Sequence, residues 1–179
     1  MNIHGADSIV EEYLIHRGFT KTFRCLQKEI SEDRTKGFNA TRIVEQIYFY
    51  IYTFDIESFI NIWDFLSKRF FMHLDQEHIV LLSNVKSDLI KFYLVNAIKK
   101  NHKEKTAEFF AKYSHEIITE SGDSVSALRS WYVLPYMEEP ERDPEFSVYF
   151  TSKWADMLKV TLSNFLSSIL LNAPPPKVG

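Results

Sequence analysis

Ile47-Tyr-Phe-Tyr-Ile-Tyr-Thr-Phe54 is the stretch on which the fold turns. Eight consecutive β-branched or aromatic residues suit a buried strand, and length alone does not separate a strand from a helix segment here. The residues upstream decide it. Ile43, Val44, Ile47, Tyr48, Ile51 and Phe54 recur at intervals of three and four, and the spacing extends back to Ala40. A 3.6-residue period gathers those side chains on one face, so the spacing predicts a helix with Asn39 as its N-cap.

Downstream, Asp55 is placed to cap a second helix carrying Phe59, Ile62, Trp63, Leu66 and Phe70. Thr53 to Glu57 leaves only a short turn between the two, which makes them an antiparallel αα-hairpin. Asp75 caps a long helix through Leu82, Val85, Leu89, Tyr93, Ala97 and Ile98, followed by a polar break from Lys99 to Lys105. A further helix carries Ala107, Phe110, Tyr113, His115, Ile117 and Ile118 and ends at Ser121-Gly122, and residues 124–134 read as one more short helix. Pro135 to Pro144 is acidic and proline-bearing, which reads as an ordered loop or an external strap. A last helix runs from about Ser152 to Leu171, with Trp154, Met157, Leu158, Thr161, Leu162, Phe165, Leu166, Ile169 and Leu170 on its stripe, and Pro174-Pro-Pro176 ends it. All six prolines lie after residue 134, which suits a run of helices before that point.

Upstream, Val10, Tyr13 and Leu14 fall at i, i+3, i+4 before Gly18, and Phe19, Thr22, Phe23, Leu26 and Ile30 continue a helical stripe after it. Residues 7–30 read as two helices of three turns or fewer hinged at Gly18, set off by the polar turn Ser31 to Arg34 and by Gly37. Such a pair cannot bury both apolar faces on each other, and isolated helices below ~12–15 residues are marginal in water. A second copy of the hairpin would cover the stripes with two-fold symmetry; packing on the rest of the same chain is the alternative. The candidate dimer-interface residues are Val10, Tyr13, Leu14, Phe19, Thr22, Phe23 and Leu26.

The expected architecture is therefore all-α: a helical hairpin (1–36), a body of antiparallel helical hairpins (37–173) with an acidic Pro-containing loop at 135–145, and a tail (174–179). With 179 residues and a net charge of −3, the chain offers no basic face for nucleic acid. One cysteine, Cys25, excludes an internal disulfide framework and fits a reducing compartment; as a residue it reads as a small buried apolar side chain. No apolar run reaches the ~18 residues of a membrane span, and the N-terminus lacks a signal peptide's pattern, so a soluble cytosolic protein is expected. Phosphate-loop, nucleophile-elbow, dinucleotide and metal-binding motifs are all missing from the sequence. His73 and His78, five apart, point in different directions on a helix. No catalytic, cofactor or metal site is expected. Lys99, Lys100, Lys103 and Lys105 form the densest basic cluster, a candidate contact for anionic lipid headgroups that also reads as a solvated turn. The last helix reads as core, with a membrane-surface role as the alternative.

Residues Val10, Tyr13-Leu14, Gly18-Phe19, Thr22, Leu26 and Glu29 resemble the LisH dimerisation motif, with Leu26 where the motif usually has Phe. The αα-hairpin after it is similar to the CTLH segment that often follows LisH, which implies a CTLH-like or α-solenoid-like body. Longer strings, Lys91-Phe-Tyr-Leu-Val95, Ala107-Glu-Phe-Phe-Ala-Lys112, Trp131-Tyr-Val-Leu-Pro-Tyr136 and Lys153-Trp-Ala-Asp156, resemble the N-terminal region of the WD repeat-containing protein 91 family from about residue 8 to Pro176. An armadillo-repeat ciliary-base family is similar too, but less closely. The first resemblance implies a non-enzymatic scaffold, associated with early and late endosomes, that self-associates and works with a second, larger WD-repeat protein. It further implies restraint of a phosphatidylinositol 3-kinase complex, early-to-late endosome conversion, and binding of a late-endosomal Rab GTPase. Members of that family continue into a coiled-coil linker and a β-propeller, so the resemblance implies an excised domain or a short isoform. A peripheral phosphoinositide-binding module and a ciliary-base scaffold are the alternative readings.

Overall fold

The stretch Ala40 to Tyr52 is helical, and the strand alternative fails. The computed structural model describes residues 3–33, 39–72, 74–119 and 128–170, and no strand occurs among them. The helices are α1 (Ile3–His16), α2 (Thr20–Glu32), α3 (Ala40–Tyr52), α4 (Ile56–Leu66), α5 (Gln76–Lys99), α6 (Lys103–Thr119) and α7 (Ser152–Leu170). A π-turn at Ser67–Phe71 extends α4, and 3-10 turns at Ser130–Tyr136, Pro140–Arg142 and Ser147–Phe150 precede α7. Expectations for residues 34–38 (Gly37 and the hairpin–body boundary), His73, residues 120–127 and the tail at 171–179 lie outside the described residues.

Side chains close the helix starts as the sequence suggests. Asn39 accepts from the Arg42 amide at 3.2 Å, Asp55 from Ser58 at 3.0 Å and Asp75 from His78 at 3.0 Å, each satisfying an orphan donor of a first turn. Three helix ends also share one geometry. Gly18, Phe54 and Asn101 have φ of +72°, +59° and +61°. After each, the next amide returns to an earlier carbonyl: Phe19 to Leu14 at 2.8 Å, Asp55 to Tyr50 at 2.9 Å and His102 to Ala97 at 2.8 Å. This is the Schellman closure. Gly18 enters the left-handed region without steric cost, whereas Phe54 is strained there by roughly 1–2 kcal/mol. Its ring packs edge-on against His102 at 4.9 Å and against Tyr93 at 6.2 Å, contacts that offset the strain.

The core forms around the second half of α5, where every residue from Leu89 to Ala97 is buried. α3, α6, α7 and the Ser147–Phe150 turn all pack on α5. The two hydrophilic members of that run have partners: Lys91 pairs with Asp88 at 3.1 Å and lies 5.3 Å from the Tyr149 ring centre, and Asn96 donates to the Ile51 carbonyl at 3.4 Å. α7 contributes Leu158, Leu162, Phe165, Leu166 and Leu170 to the core. Trp154 is half-buried, while Met157, an expected stripe residue, is exposed.

Four local expectations need correction. The stripe of α4 is fully buried at Phe71 and only partly so at Phe70, because the π-turn adds a residue and rotates the following side chains. Ser31 and Glu32 belong to α2, and Lys103 to Lys105 form the first turn of α6, so both polar breaks are shorter than their composition suggests. The short helix expected up to residue 134 is, where described, a 3-10 turn containing Pro135, which has no amide to continue an α-helix. The acidic segment is more than an external strap. As an ordered loop it buries Pro140, and Trp131, Leu134 and Phe146 on either side of it are buried, with Trp131 edge-on to Phe146 at 5.2 Å and to Tyr149 at 4.9 Å. The acidic side chains Glu138, Glu139, Glu141 and Glu145 face solvent, as do Tyr136 and Arg142.

Candidate association surface

The N-terminal hairpin keeps to itself. α1 and α2 pack chiefly on each other, and no described residue before Ala40 belongs to the main core cluster. At 14 and 13 residues each helix is close to four turns, longer than expected, yet a lone hairpin still has only one seam. Leu14 fills that seam at 8% exposed, and Phe23, Leu26 and Ile30 are half-buried.

The remaining apolar side chains face outward. Val10 is 46% exposed and Tyr13 50%, and Ile9, one turn before Tyr13, is exposed beside them. Phe19 joins this face through Arg17, whose guanidinium donates to the Tyr13 hydroxyl at 2.9 Å and lies over the Tyr13 and Phe19 rings at 5.7 and 5.2 Å. Thr22 is exposed on α2. The seven candidate interface residues therefore divide: Val10, Tyr13, Phe19 and Thr22 face outward, whereas Leu14, Phe23 and Leu26 hold the hairpin together. Ile9 and Arg17 complete the outward face and were not among the candidates. The signal for Ile9 was its i, i+4 relation to Tyr13; Arg17 gave none, because a cation beside a glycine reads as ordinary surface.

Cys25 is exposed, not buried; it sits on α2 beside Leu26, on the side turned away from the seam. The lysine cluster is dispersed by its partners. Lys103 donates to the Met137 carbonyl at 2.9 Å, Lys105 pairs with Glu108 at 2.8 Å, and Lys99 lies 5.9 Å from the Phe150 ring centre; Lys100 is exposed at the end of α5. The ion pair raises the pKa of Lys105. Among the described residues no three His, Cys, Asp or Glu side chains are grouped to hold a metal ion. No described helix is long and apolar enough to cross a membrane.

The family model described as "Armc9, CTLH-like domain" matches residues 16–172. The chain belongs to this CTLH-like family. The chain is also 35% identical over 176 residues to WD repeat-containing protein 91 of Bos taurus, covering 98% of the chain and 23% of that protein. The Danio rerio protein of the same name is 36% identical over 174 residues, 97% of the chain and 23% of the relative. The Dictyostelium discoideum homolog is 33% identical over 211 residues, 99% of the chain and 27% of the relative. The chain thus spans about a quarter of the length of these curated relatives. No solved structure gives a significant match. The matches are thus to a helical CTLH-like domain and to proteins named for their WD repeats.

Proposed function

We propose that this chain is the self-association module of an endosomal scaffold, and that it dimerises through the outward face of the N-terminal hairpin. The observation that carries the reading is the group Ile9, Val10, Tyr13 and Phe19, each close to half exposed on one hairpin that the body leaves uncovered. Two copies of that face brought together by a two-fold axis bury on each protomer what the hairpin seam cannot. The role beyond dimerisation follows from the likeness to proteins named WD repeat-containing protein 91. In this reading the dimer works with a second, larger WD-repeat protein to restrain a phosphatidylinositol 3-kinase complex on early and late endosomes. A dimer presents every partner site twice, so a second weak contact forms at a high effective concentration and binding becomes durable without any new interface.

The test is to replace residues 1–36 in a full-length family member with an unrelated dimerising coiled coil and to score endosomal phosphatidylinositol 3-phosphate. Normal levels are the expected result. Elevated lipid despite restored dimerisation would mean that the hairpin surface itself recognises a partner. Tight binding of the chain to phosphoinositide vesicles at physiological salt would instead favour a peripheral lipid-binding module.

A further inference from the structure

A cleft of about 220 Å³ opens where the α3–α4 turn, Phe54 to Glu57, faces Phe109, Lys112 and Tyr113 of α6. Tyr93 of α5 also lines it. That residue is only 1% exposed, yet its hydroxyl, unlike those of Tyr48 and Tyr132, is not a sealed polar atom without a partner. A phenol on a buried ring whose oxygen stays reachable at a cavity wall is open to a guest.

The charges at the cleft say what the guest is. Asp55, Glu57 and Glu108 line it against one ammonium, that of Lys112. Glu108 is held from outside the cleft by Lys105 at 2.8 Å, and Asp55 uses one oxygen on the Ser58 amide at 3.0 Å. Lys112 shows how a cation is held there: its ammonium is 3.1 Å from Glu57 and 5.5 Å from the centre of the Tyr113 ring. A carboxylate and an aromatic face together are a cation site. Lys112 is itself half exposed, so it can swing away.

We propose that this cleft receives an arginine side chain from a partner protein, its guanidinium replacing the Lys112 ammonium on Glu57 and Tyr113 and bonding to the Tyr93 hydroxyl. Arginine fits better than lysine because acceptors lie on different sides of the cleft and its walls include the rings of Phe54, Phe109 and Tyr113. A planar fork of five donors serves separated acceptors and stacks on rings, which a compact ammonium does not. The strained backbone of Phe54 belongs to the same wall, consistent with a shape held for binding. The inference rests on the reading of the chain as a protein-interaction module.

The experiment is an amide-resolved NMR titration of the whole chain with acetyl-arginine-amide. Saturable millimolar shifts should appear at Phe54 to Glu57 and at Glu108 to Tyr113. Lys112→Gln, which removes the resident competitor, should tighten binding, and Tyr93→Phe should weaken it, each by about tenfold. Acetyl-citrulline-amide, neutral and of similar shape, should not bind. The proposal is overturned if neither the wild-type chain nor Lys112→Gln shows saturable shifts, if the citrulline probe binds equally, or if Tyr93→Phe changes nothing. Equal binding of acetyl-lysine-amide would overturn the choice of arginine. Sedimentation of the same samples separates the two readings: a chain that dimerises but ignores the probe loses the cleft and keeps the scaffold.

Discussion

Tyr48 and Tyr93 carry hydroxyl groups into a core otherwise built from rings and branched chains. Among the described residues the buried Tyr48 oxygen has no hydrogen-bond partner, and desolvation raises its pKa above the ordinary phenol range, with Tyr52 and Asp156 adding to the effect. Tyr93 is pushed from 10.0 up to about 12, chiefly by burial. The neutral phenol is the form the fold stabilises, so this contribution is complete below pH 10 and is lost as pH rises through the folded values. For Tyr93 the two-unit difference amounts to about 3 kcal/mol. Melting temperature should therefore fall steeply between about pH 10 and 12, and Tyr48→Phe with Tyr93→Phe should flatten that fall, as thermal scans across the range would show. An equally steep fall in the double variant would assign the alkaline loss elsewhere. At this scale much was legible in the sequence. Asn39, Asp55 and Asp75 cap helices through their own side chains, so residue type alone points to them. The left-handed Phe54 was hidden, because the rings of Tyr93 and His102 that hold it come from distant parts of the chain.

Each helix of the body was readable from spacing where one face is buried, as in α3 and α7. The sequence was less informative where a helix is buried all round, as in α5 from Leu89 to Ala97, since no polar face marks the period. The π-turn after α4 could not be read at all, because Phe70 and Phe71 are chemically identical and only packing selects Phe71 for contact with Trp63 and Phe165. α7 is an integral wall of the core: Leu162 and Leu166 are fully enclosed. Leu162→Ala should cost about 3 kcal/mol through lost burial and the cavity left behind, measurable by urea unfolding. Removing residues 150–179 should bare the faces of α3 and α5 and cause aggregation. A shortened chain that stays monodisperse with an unchanged melting temperature would show that α7 is a detachable element.

For the whole molecule, the decisive feature is that the body has a core of its own which no described residue of the hairpin joins, although Phe49, Tyr52, Phe65 and Met72 of the body are exposed too. The sequence marked the right segment for association but not the right side of it. Leu14 sits next to Tyr13, and spacing alone cannot tell the seam with α2 from the face beyond. That distinction sets the choice of probe: Leu14→Asp would open the hairpin, while Val10→Asp places a charge on the outward face and leaves the seam alone. Buried at a two-fold contact, that unpaired charge costs on the order of several kcal/mol per protomer, enough to separate the copies. Sedimentation of the wild-type chain and of Val10→Asp at micromolar concentration is the direct measurement. The wild type should run at twice the chain mass and Val10→Asp at the chain mass, both with the same helical content. A wild-type monomer throughout, or a Val10→Asp dimer indistinguishable from wild type, would contradict association through the hairpin face.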